Sequence, residues 1–310
     1  ENNENNITTE KPIVNIPEIE SLLDLNKTPD INDNITAYLL IGSDERGNEE
    51  ESYIDGKRAD VIILGFFNET INKNALISIP RDTLVNNLCT GEVERINASY
   101  KKNNCGNGAE NIVAAVNTLT GIKIQHIASF NFDGFETIID SFNGIEICVD
   151  RTQREGFAFE LQEGCQKVNG STALNWTRSR NTEVLIGQKI IDENGNDNSE
   201  WKKMDNVSDL SRVERQQYLV IQLLSELENF SSFAELLQFI QALEETFVVD
   251  EGLSVNKATN ILWDMRTIEL DNITKLTIPT SPYELNDGRQ VLILNGNFYD
   301  FAAENLLIDE

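Results

Sequence analysis

The sequence predicts a layered α/β protein, and three observations carry that expectation. Short apolar runs bounded by Gly, Asn or Pro read as buried strands. Longer stretches repeat their apolar residues at helical spacing. The two kinds of segment alternate along the chain, the pattern of an α/β layered fold. No internal repeat and no clear linker appear after residue 36, so residues 36–310 read as one domain.

The first 35 residues are polar, carry few large apolar groups and read as a flexible linker with at most one short helix near Ser21. Three strands follow: TAYLLIG, ADVIILGFF and NALISIP, the last two joined by NETINKN as a hairpin connection. From Ala109 the residues Ile112, Val113, Val116 and Leu119 recur at helix spacing, and Gly121 serves as the stop. IASFNF is the next strand, GFETIIDSF the next helix, and Asn143-Gly144 turns the chain into the strand IEICV.

Three further helices are expected. One carries Leu219, Val220, Leu223, Leu224 and Leu227 on a stripe. Another starts at Ser232 with Glu235 three residues on, a capping-box pattern, and buries Leu236, Leu237, Ile240 and Leu243. The third starts near Ser254 and uses Ala258, Ile261, Leu262 and Met265. KLTIP and QVLILNG return to strand. Residues 181–210, dense in Asn and Asp and without sustained periodicity, read as an insertion; such a long structureless connection is functional, mobile or a surface decoration.

Composition excludes several function classes. The 310 residues carry 25 basic and 52 acidic side chains, a formal charge of −27, which argues against non-specific nucleic-acid binding. No run of 18 apolar residues occurs, so nothing here spans a bilayer; the chain begins at Glu1, as a processed piece that has lost a signal or membrane anchor would. P-loop, G-x-S-x-G and H-E-x-x-H motifs are absent. The one histidine, His126, lies between apolar neighbours and reads as structural. Cys89, Cys105, Cys148 and Cys165 form no C-x-x-C pair, which disfavours zinc. Their spacing suits two local disulfides, Cys89–Cys105 and Cys148–Cys165, as in an oxidising compartment; four free buried thiols are the alternative.

Arginine is the informative residue. The chain has 12, and seven fall in short clusters: Arg46 and Arg58, Arg81, Arg178 with Arg180, and Arg212 with Arg215. TRSR, if extended, sends Arg178 and Arg180 to one side. SRVERQQ opens an amphipathic helix with Arg212 and Arg215 three apart on one face. Arg81 and Asp82 follow directly on a strand ending at Pro80, and strand ends are where open α/β sheets place ligands. Guanidinium groups bind phosphate through a planar, always charged fork. Gathered arginines in so acidic a chain suggest an anionic ligand, with surface ion pairing as the plain alternative. Asp44 and Asp60 flank the same region, as salt-bridge partners or, with phosphate oxygens, as the environment of Mg²⁺.

Taken in order, LLIGSDERG, RADVIIL, SIPRDT, RINASY, FNFDGF, NGSTALNWTRSR and SRVERQQ resemble the LytR-CpsA-Psr family of cell-envelope proteins over roughly residues 36–230. The resemblance implies an α/β/α three-layer core around a mixed sheet, membrane-anchored on the extracellular side. It further implies a phosphotransferase that moves a glycopolymer, of the teichoic acid or capsule kind, from a polyprenyl-pyrophosphate carrier onto peptidoglycan.

Carried onto matching positions, Asp44 and Asp60 would hold Mg²⁺. Arg58, Arg81, Arg178, Arg180, Arg212 and Arg215 would bind the pyrophosphate, with Gln216 nearby and Arg46 as a further member. Asp60 or Asp82 would take the acceptor's proton. Phe130, Phe132, Phe135, Leu219 and Leu223 are candidates for a lipid groove, although the same spacing describes ordinary core packing. The insertion at 181–210 is a departure, since relatives are often shorter there. A polyprenyl-pyrophosphate pyrophosphatase and a non-catalytic binder of anionic glycopolymer are the competing readings.

Overall fold

The computed structural model describes residues 35–44, 58–68, 73–87, 91, 93–100, 108–204 and 209–306. The expected N-terminal linker, Arg46, Cys89 and Cys105 lie outside these residues.

Three antiparallel strands open the fold: β1 (Ile35–Ser43), β2 (Ala59–Asn68) and β3 (Lys73–Ser78). A short hairpin, β4 (Leu84–Asn86) and β5 (Val93–Arg95), follows. Helix α1 (Gly108–Thr120) ends at Gly121, whose φ of 69° is the left-handed conformation that suits glycine. Strand β6 (His126–Phe130) returns parallel to β1, and α2 (Phe132–Ser141) leaves it under an Asn131 cap whose side chain accepts from Gly134 N–H at 2.8 Å.

The next strands stand apart from the central sheet. β7 (Ile145–Val149) pairs with β10 (Gly164–Val168), and Cys148 and Cys165, opposite each other in that register, are bonded. β8 (Gln153–Glu155) and β9 (Phe159–Leu161) form a hairpin ahead of α3 (Gly170–Arg178). The 181–210 segment is not structureless as its composition suggested. It makes a second hairpin, β11 (Glu183–Ile186) with β12 (Glu200–Lys203), which extends β8–β9 into a four-stranded sheet. Arg154 holds the two hairpins together: it pairs with Glu183 at 3.1 Å and Asp197 at 2.7 Å and lies over the Trp201 ring.

Four helices and four strands complete the chain: α4 (Asp209–Glu226), α5 (Phe233–Ala242), β13 (Val248–Val249), α6 (Val255–Met265), β14 (Ile273–Thr277), β15 (Thr280–Glu284), β16 (Gln290–Leu294) and α7 (Phe298–Leu306). The central sheet runs β13-β6-β1-β2-β3-β14 and is mixed, with β6 parallel to β1 and β14 parallel to β3.

Strand alternation divides this sheet between two layers. Ala37, Leu39 and Ile41 of β1, Ile62, Leu64 and Phe66 of β2, and Ala75 and Ile77 of β3 pack against Ile112, Ala115 and Val116 of α1 and against Phe298 and Ala302 of α7. On the opposite face, Ile63 and Leu76 meet Val220, Ile221 and Leu224 of α4. Gln217 pins α4 to the sheet, donating to Ser78 Oγ at 2.9 Å and to the Leu276 carbonyl at 2.6 Å. A separate core joins α2 and α3 to β7 and β9 through Phe135, Ile139, Ile147, Leu161 and Trp176. The expected α/β/α layering around a mixed sheet is therefore present.

Candidate active site

Between the second face of the sheet and α2–α6 lies a cavity of about 730 Å³. Its long lining is apolar: Tyr38, Leu40, Ile63 and Phe67 from the sheet, with Leu219 and Leu223 from α4 and Leu227 just after it. Ala258, Ile261, Leu262 and Met265, the apolar stripe that the sequence shows on α6, form part of its wall. Thr259 is the one buried residue of α6. Helical periodicity reports an apolar face; what fills the space against that face is a tertiary property.

One end of the cavity is charged, and strand direction fixes which. β1 and β6 run in parallel, with Tyr38 beside His126 at one end and Gly42 beside Phe130 at the other. Ser43, Asn131, Asp60 and Arg81 gather at the second end, around the C-terminal edges of β1, β3 and β6, where open α/β sheets bind ligands. Arg178, Arg180, Arg212 and Gln216 line the same cavity. Four arginines from three distant segments thus share one wall.

Local structure explains each of them. Arg178 is the last residue of α3 and Ser179 is extended, with φ −56° and ψ 133°. TRSR is therefore a helix end and not a strand, yet the alternation survives: Ser179 is buried while Arg178 and Arg180 are exposed. Arg178 lies over the Phe132 ring, its guanidinium carbon 3.9 Å from the centroid, so Phe132 holds the arginine as well as lining the cavity. Arg81 follows Pro80 off the sheet and donates to Asp60 Oδ1 at 2.7 Å.

Asp60 reaches the cavity through a β-bulge. Gly42 pairs with Val61 and Ser43 with Ala59, which leaves Asp60 as the extra residue. Regular alternation would place Asp60 with Ile62, Leu64 and Phe66 in the α1 core. The bulge reverses it, so Ala59 is buried in that core while Asp60 and Val61 both line the cavity.

Several other residues named from the sequence are placed differently. Arg215 is 7% exposed and does not line the cavity; it donates to the Trp176 carbonyl at 2.8 Å and to Thr182 Oγ1 at 3.1 Å. It thereby satisfies a carbonyl in the last turn of α3, and burial holds its guanidinium below the usual arginine range. Asp82 lies outside the lining as well, 3.3 Å from Arg95.

Asp44 and Arg58 pair just beyond the ends of β1 and β2. The Arg58 N–H donates to Asp44 Oδ1 at 2.8 Å, and neither residue belongs to the cavity wall. Of the two expected metal ligands, Asp60 lines the cavity with Arg81 bonded to it, and Asp44 stands on the same sheet edge outside the lining.

Phe130, Phe132, Phe135, Leu219 and Leu223 all line the cavity, Phe135 and Leu219 while also serving the α2–α3 core. His126 is mostly buried, its Nδ1 3.1 Å from the Asp250 carboxylate, and sits at the apolar end. Sequence reasoning missed Glu155 and Asn131 in the wall, and Gln217 as the anchor of α4. Only the glutamine beside Gln216 within SRVERQQ could have signalled the last.

The model of the LytR_cpsA_psr family matches residues 4–187 and 199–306, leaving out only the tip of the β11–β12 hairpin between them. The probable cell wall biosynthesis protein LcpB of Corynebacterium glutamicum is 28% identical over 166 residues, 50% of this chain and 39% of that protein. A polyisoprenyl-teichoic acid–peptidoglycan teichoic acid transferase, TagU of Bacillus cereus, is 31% identical over 144 residues, 46% of this chain and 44% of its own length. The chain thus spans less than half of either relative. TagU of Bacillus licheniformis is 24% identical over 275 residues, 88% of this chain and 74% of that protein. Among solved structures, TagV of B. subtilis superposes with a TM-score of 0.67 at 19% identity, covering 90% of this chain and 100% of that one. TagT bound to LIIa-WTA gives 0.64 at 18% identity, covering 92% and 96%.

Proposed function

The chain belongs to the LytR-CpsA-Psr family, and on that premise we propose that it is a cell-envelope phosphotransferase moving a glycopolymer from a polyprenyl-pyrophosphate carrier onto peptidoglycan. One observation carries this reading. A single cavity unites Arg81, Arg178, Arg180 and Arg212 at one end with an apolar channel along the rest, the two-part surface that a lipid pyrophosphate requires. The relatives named for teichoic acid transfer to peptidoglycan support the choice of donor and acceptor classes.

In this reading the pyrophosphate rests on the four guanidinium groups, and the prenyl chain lies over Tyr38, Leu40 and Leu223. An acceptor hydroxyl attacks the phosphorus that carries the glycopolymer. The P–O bond to the carrier breaks, polyprenyl phosphate leaves, and the hydroxyl proton is shed late, to solvent. Such loose phosphoryl transfer needs positioning and charge stabilisation above all, which fixed arginines supply. Mg²⁺, held by Asp60 with Asp44 beside it, would neutralise phosphate charge at the same end. Arg81 braces Asp60, and Phe132 braces Arg178. Asp82, engaged by Arg95 outside the wall, has no part in the proton transfer.

The bonded Cys148–Cys165 pair suits an oxidising, extracellular setting. Among the described residues no helix is long and apolar enough to cross a membrane.

Transfer from a polyprenyl-pyrophosphate glycopolymer to soluble peptidoglycan tests the proposal. Arg81→Ala is expected to slow transfer at least about tenfold, equal to roughly 1.4 kcal/mol of transition-state stabilisation. Undiminished turnover in that variant removes Arg81 from the site. Release of the free polymer phosphate alone, with acceptor present, makes the protein a pyrophosphatase instead.

A further inference from the structure

The proposed reaction joins two large substrates, and the arginine-ended cavity accounts for only the donor. A second cavity of about 350 Å³ adjoins it. The two share Ser43, Phe130 and Asn131, the residues at the C-terminal ends of β1 and β6, so the smaller one opens beside the charged end and away from the apolar channel.

Its walls differ in kind. Asp133 and Thr137 of α2, and Glu245 and Thr246 from the segment before β13, bring carboxylates and hydroxyls. Asp133 and Glu245 are exposed, and their carboxylates make no hydrogen bond or ion pair among the described residues. Tyr100, buried in the α1-side core, reaches the wall as well, its hydroxyl 2.7 Å from Ser129 Oγ. Gly134 allows the two sides of the cavity to close on each other. A Cβ there would stand 2.8 Å from the Thr246 carbonyl oxygen, so α2 could not approach that segment with any larger residue.

Resting on the function proposed above, we infer that this cavity is the acceptor subsite and takes a sugar residue of the glycan strand. Carboxylates accept from sugar hydroxyls and amides, and threonine hydroxyls both accept and donate. The volume falls in the range of small-molecule sites. The shared residues put an acceptor hydroxyl at the edge of the pyrophosphate end, where an attack on phosphorus has to begin.

Two variants test the assignment against a soluble peptidoglycan glycan strand at varied concentration. Thr137→Trp, at an exposed helical position, fills the cavity; Asp133→Asn with Glu245→Gln removes its charged acceptors. Both are expected to raise the acceptor KM at least tenfold while the donor KM stays within twofold. An acceptor KM within twofold of wild type in both variants overturns the subsite. Should the wild type transfer no polymer, the functional reading falls by itself. Saturation-transfer NMR of the glycan strand then still judges the cavity: a glycan signal abolished by Thr137→Trp supports it, and an undiminished signal rejects it.

Discussion

Single side chains in this molecule divide into those that face the cavity and those that hold it in shape, and sequence pattern separates the two poorly. Arg212 and Arg215 sit three apart on α4 and both are buried, at 8% and 7% exposure, yet only Arg212 lines the cavity. Arg215 is drawn aside by the Trp176 carbonyl and Thr182, partners 39 and 33 positions away that no local pattern announces. Arg178 and Arg180 were legible because alternation around a buried serine is a local property.

The His126–Asp250 pair is another holding contact. Burial works against charge on Asp250, but the Ile127 and Gly252 N–H groups and His126 outweigh it and keep the carboxyl below its ordinary range. A depressed carboxyl contributes stability above its unfolded value, about 3.9, and loses it as the pH falls through the folded value. Asp250→Asn should therefore unfold at a lower temperature than wild type at pH 7, with the gap closing below about pH 4. A deficit of equal size at pH 3 and pH 7, read by circular dichroism, would contradict the assigned role.

At the scale of elements, periodicity located most helices and the central strands correctly. Ser232 caps α5 as expected, and Glu235 reaches back to accept from the Ser231 N–H and hydroxyl. What periodicity could not supply was the destination of an apolar face. The stripes of α5 and α6 look alike in sequence, but Leu236 of α5 is fully buried whereas Leu262 of α6 faces the cavity. Leu236→Ala should cost about 2–5 kcal/mol in urea unfolding. Leu262→Ala should cost about 1 kcal/mol or less and show its effect as weaker binding of polyprenyl phosphate. Equal destabilisation would mean that α6 packs as a core helix. The β11–β12 hairpin was illegible for the opposite reason: it is held largely by polar contacts such as Arg154 with Glu183 and Asp197, which leave no hydrophobic period.

For the whole molecule, an apolar space of about 730 Å³ means that much of the α4–α6 surface gains its packing partner only when a ligand enters. Polyprenyl phosphate at about one hundred times its Kd should stabilise the fold by roughly 2.7 kcal/mol. That corresponds to a rise of about 4 °C in Tm for a chain of this length. Inorganic pyrophosphate, which meets the arginines alone, should give a smaller rise; an equal one would take the lipid out of the cavity. The sandwich itself was readable because layers follow from alternating elements, whereas the cavity depends on how far α5 and α6 stand off the sheet. The bulge at Asp60 shows the same dependence in miniature, since the residue lines the cavity only because β2 carries one residue more than β1 can match. Position there is encoded by counting, not by chemistry. A one-residue deletion beside Asp60 would keep every functional side chain in the chain and bury the carboxylate under α1, so tolerance to length change should vanish at this strand end even where tolerance to substitution is high.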